Sequence, residues 1–176
     1  MTSPPRDAVR SPVGNFSATA EVRDLDIRVL AAAAVRHEGK VLVIREEDEP
    51  FGKTWVLPQG YPRTGESLPA AAAREAREET GLDVEVEGFL GLYEDFEPAP
   101  SGDRVHWVIA CYLAFPVPGS ALRSSREAVD FAWIDPGKSS QQSPAVVQRM
   151  LSDLARRPDP RGPKGNRRER TRDPRP

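Results

Sequence analysis

Apolar residues along the middle of the chain fall into short β-like runs interrupted by one strong helical pattern. Ile27 to Arg36 is small and apolar with β-formers at its ends. His37-Glu38-Gly39-Lys40 offers a turn, and Val41 to Arg45 reads as a returning strand. Acids crowd Glu46 to Glu49, and Pro50-Phe51-Gly52 breaks the pattern into a loop. Trp55-Val56-Leu57 is a short apolar piece stopped by Pro58, which has no N–H to give a ladder. Gly60 to Ser67 reads as a loop. Leu68 to Thr80 is the clearest helix: Ser67 is placed to cap it, Pro69 falls in its first turn, and Gly81 closes it. Val84 to Tyr93, Val105 to Phe115 and Val129 to Ile134 read as further strands. In Pro144 to Arg156, Val146, Val147, Met150, Leu151 and Leu154 share one helical face. Two helices with five or six strands predict an α/β fold, a mixed sheet sandwiched between helices.

Composition bounds this picture. The 176 residues, 38% apolar and 30% charged, supply one ordinary core. A single cysteine, Cys111, excludes an intramolecular disulfide framework, and His37 and His106 lie too far apart for a histidine-based metal site. No apolar run is long enough for a spanning helix, and the first residues lack the apolar core of a secretory signal. The expectation is a soluble, reducing, cytoplasmic protein. Its charge is split: from Arg156 onward nine Lys and Arg face three acids, +6, so the total of −2 leaves −8 on residues 1–155. That basic, Pro-rich tail has no large apolar residue and is expected to be disordered over 157–176, as is the segment 1–24, which leaves a folded domain at 25–156. The tail could attract nucleic acid, but without interleaved aromatics a solvated tail is the favoured reading.

Candidate chemistry gathers on the first helix. Glu75, Glu78 and Glu79 stand at i, i+3 and i+4, on one face. Like charges so placed either point into water or share a cation, and hard carboxylate oxygens suit Mg²⁺ or Mn²⁺. Arg74 and Arg77 flank them at other angular positions, as incomplete partners.

The loop before the helix changes the balance. Gly60, five residues, Glu66, seven residues, then Arg74-Glu75-Ala76-Arg77-Glu78-Glu79-Thr80-Gly81-Leu82 resembles the Nudix box at every fixed position, with Ala76 smaller than the usual aliphatic residue. Trp55 to Pro58 and Ala71-Ala72 agree with it, and the resemblance spans roughly Ile27 to Ala155. It implies a Nudix-type α/β/α sandwich and a metal-dependent hydrolase of pyrophosphate bonds. It also implies Mg²⁺ or Mn²⁺ held by Glu75 and Glu79, with Glu78 and the carbonyl of Gly60 or Gln59 completing the set. Arg74 would orient Glu75, and Glu66 would brace the loop. Many members use an acid outside the box. Glu127, six residues before Trp133, is the candidate base or extra ligand, with Asp130, Glu94 and Glu97 as fallbacks.

Substrate is less constrained. Gln59 in Pro58-Gln59-Gly60 resembles RNA pyrophosphohydrolases and diadenosine polyphosphate hydrolases, and Pro98, sixteen residues past the box, resembles the marker of ADP-ribose pyrophosphatases. Arg45, Arg63 and Arg104 are candidates to hold phosphates. Tyr93, Phe96 and Trp107 could stack a base, with core packing the better reading of Trp107. The expected partner is a nucleotide-like small molecule, a dinucleoside polyphosphate or nucleoside triphosphate first and ADP-ribose or a nucleotide sugar second. 5′-Triphosphorylated RNA and a nucleotide-binding module without turnover are the remaining alternatives. No membrane partner is expected, and the protein should be a monomer or homodimer.

Overall fold

The computed structural model describes residues 26–48, 52–98, 104–123, 130–138 and 143–161. Strand β1 (Asp26–His37) is the centre of the molecule, because both of its faces are buried. It pairs in parallel with β6 (Arg104–Pro116), from Asp26 opposite Val105 to Val35 opposite Ala114. β6 pairs antiparallel with β5 (Val84–Pro98), and a hairpin through Glu38 (φ 50°) and Gly39 (φ 79°) turns β1 into β2 (Lys40–Asp48). Two successive left-handed residues are what a tight hairpin with strand-matching twist requires. β2 carries β3 (Gly52–Val56) on one edge and β7 (Asp130–Ile134) on the other, both antiparallel. The sheet is therefore mixed, as the sequence predicts.

Alternation along β1 divides the core. Ala32 and Ala34 face one way, into a cluster with Val43, Ile44, Leu57, Ile109 and the buried stripe Val146, Val147, Met150, Leu151 and Leu154 of α2 (Ala145–Arg156). Ala31, Ala33 and Val35 face the other way, against Ala71, Ala72 and Ala76 of α1 (Leu68–Thr80). Small side chains on both partners let helix and strand approach closely, and Ala76 is fully buried between them. α1 covers only part of its sheet face, and Ile27, Val29, Leu92 and Phe96 remain exposed beyond it. No helix among the described residues is long and apolar enough to cross a membrane.

Several expectations shift. α1 has the bounds read from sequence, and Gly81 (φ 75°) closes it by donating its N–H to Arg77 O at 2.9 Å. Ser67 occupies the capping position but its side chain makes no capping bond. Pro69 has removed one of the two N–H groups such a cap would serve. Gln59–Gly60, split between a proline stop and a loop in the sequence reading, forms the two-residue strand β4 against Ala31 and Ala32. β5 runs on to Pro98, because Glu94–Pro98 pairs with Arg104–Val108 despite its polar composition. Arg157, Asp159 and Arg161, counted with the tail, lie on the domain. Arg157 donates to Phe89 O (2.9 Å) and Leu90 O (2.7 Å), beside a β-bulge in β5. Its own carbonyl accepts from the buried Arg36 at 3.0 Å, and Asp159 stands 3.6 Å from Arg36 Nε. Arg161 pairs with Glu85 (2.9 Å) and with Glu87, and lies over the Phe115 ring.

Candidate active site

One turn of α1 and the chain leading into it from β4 build the site. Glu75 and Glu79 are 8% and 4% exposed, so two of the three acids are buried rather than solvated. Backbone closes over them. Gln59 donates its N–H to Glu79 Oε2 at 3.1 Å, and a Cβ on Gly60 would fall 2.3 Å from the Glu75 carboxyl, a spacing no side chain tolerates. A larger residue at position 60 would have to displace the Glu75 carboxyl.

Arg74 ties loop to helix. Its Nε and Nη2 grip Glu66 in a two-pronged pair at 2.9 Å each, and Nη2 also donates to Tyr61 O at 2.9 Å. Nη1 donates to Glu75 Oε1 at 2.6 Å and to Glu78 Oε2 at 2.8 Å. The sequence expectation of an incomplete partner is corrected here. From its own angular position, Arg74 is long enough to reach both the next residue and the one a turn ahead. The loop braces itself, with Glu66 N–H on Arg63 O and Arg63 N–H on Glu66 Oε2, both at 2.9 Å. These donors fix the charges. The Arg74 guanidinium, helped by the Arg63 N–H, brings the Glu66 carboxyl down to about 2. The Arg74 hydrogen bond, with the Arg63 charge, holds Glu78 below the ordinary carboxylate range. Arg63 also meets Glu78 at 2.9 and 3.1 Å, but its side chain is 65% exposed, so that pair is worth at most about 1 kcal/mol.

Among the described residues no three His, Cys, Asp or Glu side chains stand as a ready cage for an ion, and Arg74 Nη1 lies between Glu75 and Glu78. The donor chemistry nevertheless suits a hard divalent cation. Two carboxylates are buried together, Glu78 stands at the rim, and the side-chain oxygen of Gln59 is buried with no hydrogen-bond partner among the described residues.

The acids form one wall of a cleft of about 740 Å³. Gly60, Arg63, Arg74, Glu75, Glu78 and Glu79 all line it, so the sequence reading of these six positions converges on one place. Three others go elsewhere. Arg45 pairs with Asp130 at 3.4 Å over the Trp55 ring, outside the cleft, since its register partner Trp55 alternates with Thr54 and Val56, the β3 residues that line it. Tyr93 is core: its hydroxyl donates to Asp153 of α2 at 3.0 Å, and burial pushes the phenol above its ordinary range. Arg104 lies over Phe96, whose position in β5 alternates away from the cleft. Glu127 lies outside the described residues. Of the fallback acids, Glu94 is bonded to His106 (2.9 Å) and Asp130 to Arg45, whereas Glu97 lines the cleft. Trp107, read as core, stands half-buried in the cleft wall and donates its indole N–H to Glu97 at 3.1 Å. Tyr61 and Asp95, which the sequence reading missed, line it too. Tyr61 follows the glycine of the box, and Asp95 follows Tyr93 in the period of the strand.

A sequence model described as the NUDIX domain matches residues 26–151. A MutT-like protein of Streptomyces ambofaciens is 28% identical over 151 residues, 86% of this chain and 83% of that one. An ADP-ribose pyrophosphatase of Methanocaldococcus jannaschii is 31% identical, with only 57% of its length covered and 57% of this chain. The crystal structure of a MutT NUDIX hydrolase from Burkholderia pseudomallei superposes with a TM-score of 0.63 at 26% identity, over 73% of this chain and 98% of that one.

Proposed function

The chain belongs to the Nudix family of hydrolases, and on that premise we propose that it cleaves the pyrophosphate bond of a nucleoside diphosphate linked to another group. A dinucleoside polyphosphate or a nucleoside triphosphate is the first choice of substrate. The observation that carries this reading is a cleft lined both by the buried acids with Gly60 and by aliphatic and aromatic side chains. A pyrophosphate suits the first set and a base the second.

Glu75, Glu79 and Glu78, with the Gly60 carbonyl, are the residues proposed to hold Mg²⁺ or Mn²⁺. When bound, such an ion supplies Lewis acidity at phosphorus and neutralises phosphate charge. The chain's own groups do the positioning. Arg74 fixes the orientation of Glu75 while its grip on Glu66 keeps the loop on the helix. Arg63, exposed and tied only to Glu78 at its tip, is the side chain best placed to exchange that partner for a substrate phosphate. Water adds to one phosphorus, the bridging P–O bond breaks, and an acid takes the water's proton. Glu127, which lies outside the described residues, is the candidate that the sequence offers for that step, with Glu97 of the cleft wall as its alternative.

ADP-ribose or a nucleotide sugar is the second reading, favoured by the name of the Methanocaldococcus relative. Binding without turnover is disfavoured by the complete set of acids. The test is a panel of nucleoside triphosphates, diadenosine polyphosphates, ADP-ribose and 5′-triphosphorylated RNA, assayed with Mg²⁺ and then Mn²⁺ and resolved by mass in ¹⁸O-water. Metal-dependent release of phosphate or pyrophosphate carrying ¹⁸O from one class supports the proposal. Turnover unaffected by chelator, or none with any substrate, overturns it.

A further inference from the structure

Strand β5 ends the sheet: β6 pairs along one edge, and among the described residues no strand pairs with the other. Its first half is broken by two irregularities, between Val86 and Gly88 and between Phe89 and Gly91. From Leu92 to Pro98 the register is regular, so the outer edge there has the geometry of a template for another strand. Leu92 and Phe96 are at least half exposed, on the face that α1 leaves uncovered. What occupies this edge is guanidinium. Arg149 of α2 donates to Glu94 O, and Arg104 of β6 reaches Phe96 O at 3.4 Å. Arg157 covers Phe89 O and Leu90 O at the second bulge. Three arginines from three parts of the chain thus converge on the carbonyls of one strand edge, and among the described residues none of them is paired with a carboxylate. Glu94 and Phe96 lie two apart, the spacing at which a strand turns its carbonyls to the same side. The guanidinium N–H groups stand where the backbone N–H donors of an added strand would come.

We propose that the outer edge of β5 is a self-pairing surface that the chain holds closed with these arginines, and that the strand it would otherwise accept is β5 of a second copy. Self-complementarity singles out the second copy. About a two-fold axis at Glu94, the two Glu94 residues exchange N–H···O bonds, and Leu92 of each copy lies opposite Phe96 of the other. That sets an aliphatic–aromatic cross-strand pair on each side of the axis, on the exposed face of the sheet. The facing Glu94 carboxylates oppose the pairing, although each is bonded to its own His106 at 2.9 Å. Asp95 and Glu97, on the opposite face of the same stretch, line the cleft, so a strand added here would border it. Closing the edge therefore keeps that side of the cleft clear of a neighbouring molecule.

Analytical sedimentation of the full chain carrying Arg104→Ala and Arg149→Ala tests the proposal independently of turnover. Both side chains are exposed, and Arg157 is kept because its carbonyl serves the buried Arg36. The double variant should dimerise at least about tenfold more tightly than the unsubstituted chain. Glu94→Cys, added to each background, reads the register. Paired β5 strands set the two Cα atoms of that position about 5.5 Å apart, within disulfide reach, while Cys111 is buried. Under mild oxidation an intermolecular disulfide should form in the double variant and not in the chain that keeps its arginines. Leu92→Cys, which meets Phe96 across the axis, should cross-link in neither. Equal association of the two chains, a dimer that does not cross-link through position 94, or cross-linking that is indifferent to the arginines would each overturn the proposal. Arg149→Ala alone carries the same comparison if the double variant does not fold.

Discussion

Glu79 is where burial and charge are most sharply opposed, being 4% exposed with a backbone N–H on one oxygen. Glu79→Gln keeps its volume and removes its charge. If it holds the cation, kcat should fall by about 100-fold or more, about 2.7 kcal/mol, in steady-state assays. A loss under about threefold would leave it a packing residue. Gly60→Ala forces a methyl group into the Glu75 carboxyl, so thermal denaturation should register a loss of about 1–3 kcal/mol together with loss of turnover. Glu66 governs an acid limb. Its folded pKa of about 2 lies below the ordinary 4.5, so its ionisation favours the folded chain above about pH 4.5, and that contribution disappears as pH falls toward 2. Glu66→Gln should therefore flatten the melting-temperature profile across that window and change its slope little between pH 5 and 8. The residues gathered by the box were legible because their identities and offsets are the signal. Arg45, Tyr93 and Arg104 were not, since each lies on a strand and its role depends on which face meets what. Tyr93, Asp95 and Glu97 share one side of β5, and only the presence of α2 over the first and its absence from the others separates core from cleft.

The two helices are held in different ways. α2 contributes large side chains, and Met150, fully buried in the cluster on its side of β1, should cost about 2–5 kcal/mol when cut to alanine, measured by urea denaturation. α1 packs mainly alanines, with Leu68 at its start and Thr80 at its end, so its position depends on close approach and on the Arg74 ties to the preceding loop. Its limits were readable because Pro69 and Gly81 are backbone instructions that tertiary contacts do not override. β4 was unreadable for the opposite reason. Two residues carry no period, and the strand exists because β1 leaves an edge for Gln59 and Gly60 to join.

At the level of the molecule, arginine and proline after residue 156 suggest a solvated chain, while Arg157 donates its guanidinium N–H groups to carbonyls beside a β-bulge in β5. Ending the chain at Arg156 strips the buried Arg36 of its carbonyl and carboxylate neighbours, and should cost about 3–5 kcal/mol in denaturant titration. Ending it after Arg161 should cost little, and that is the cut with which to ask whether the remaining basic residues recruit RNA at low salt.

The parallel seam between β1 and β6 has a kinetic consequence. Its two strands are separated by the hairpin, both β3 and β4, all of α1 and β5, and every acid proposed to bind the cation lies within that excursion. Joining the ends of so long a loop is entropically unfavourable until the seam forms. In refolding experiments, catalytic competence should therefore appear late and as a single phase, together with the burial of Cys111 within the seam rather than with the earlier helical signal.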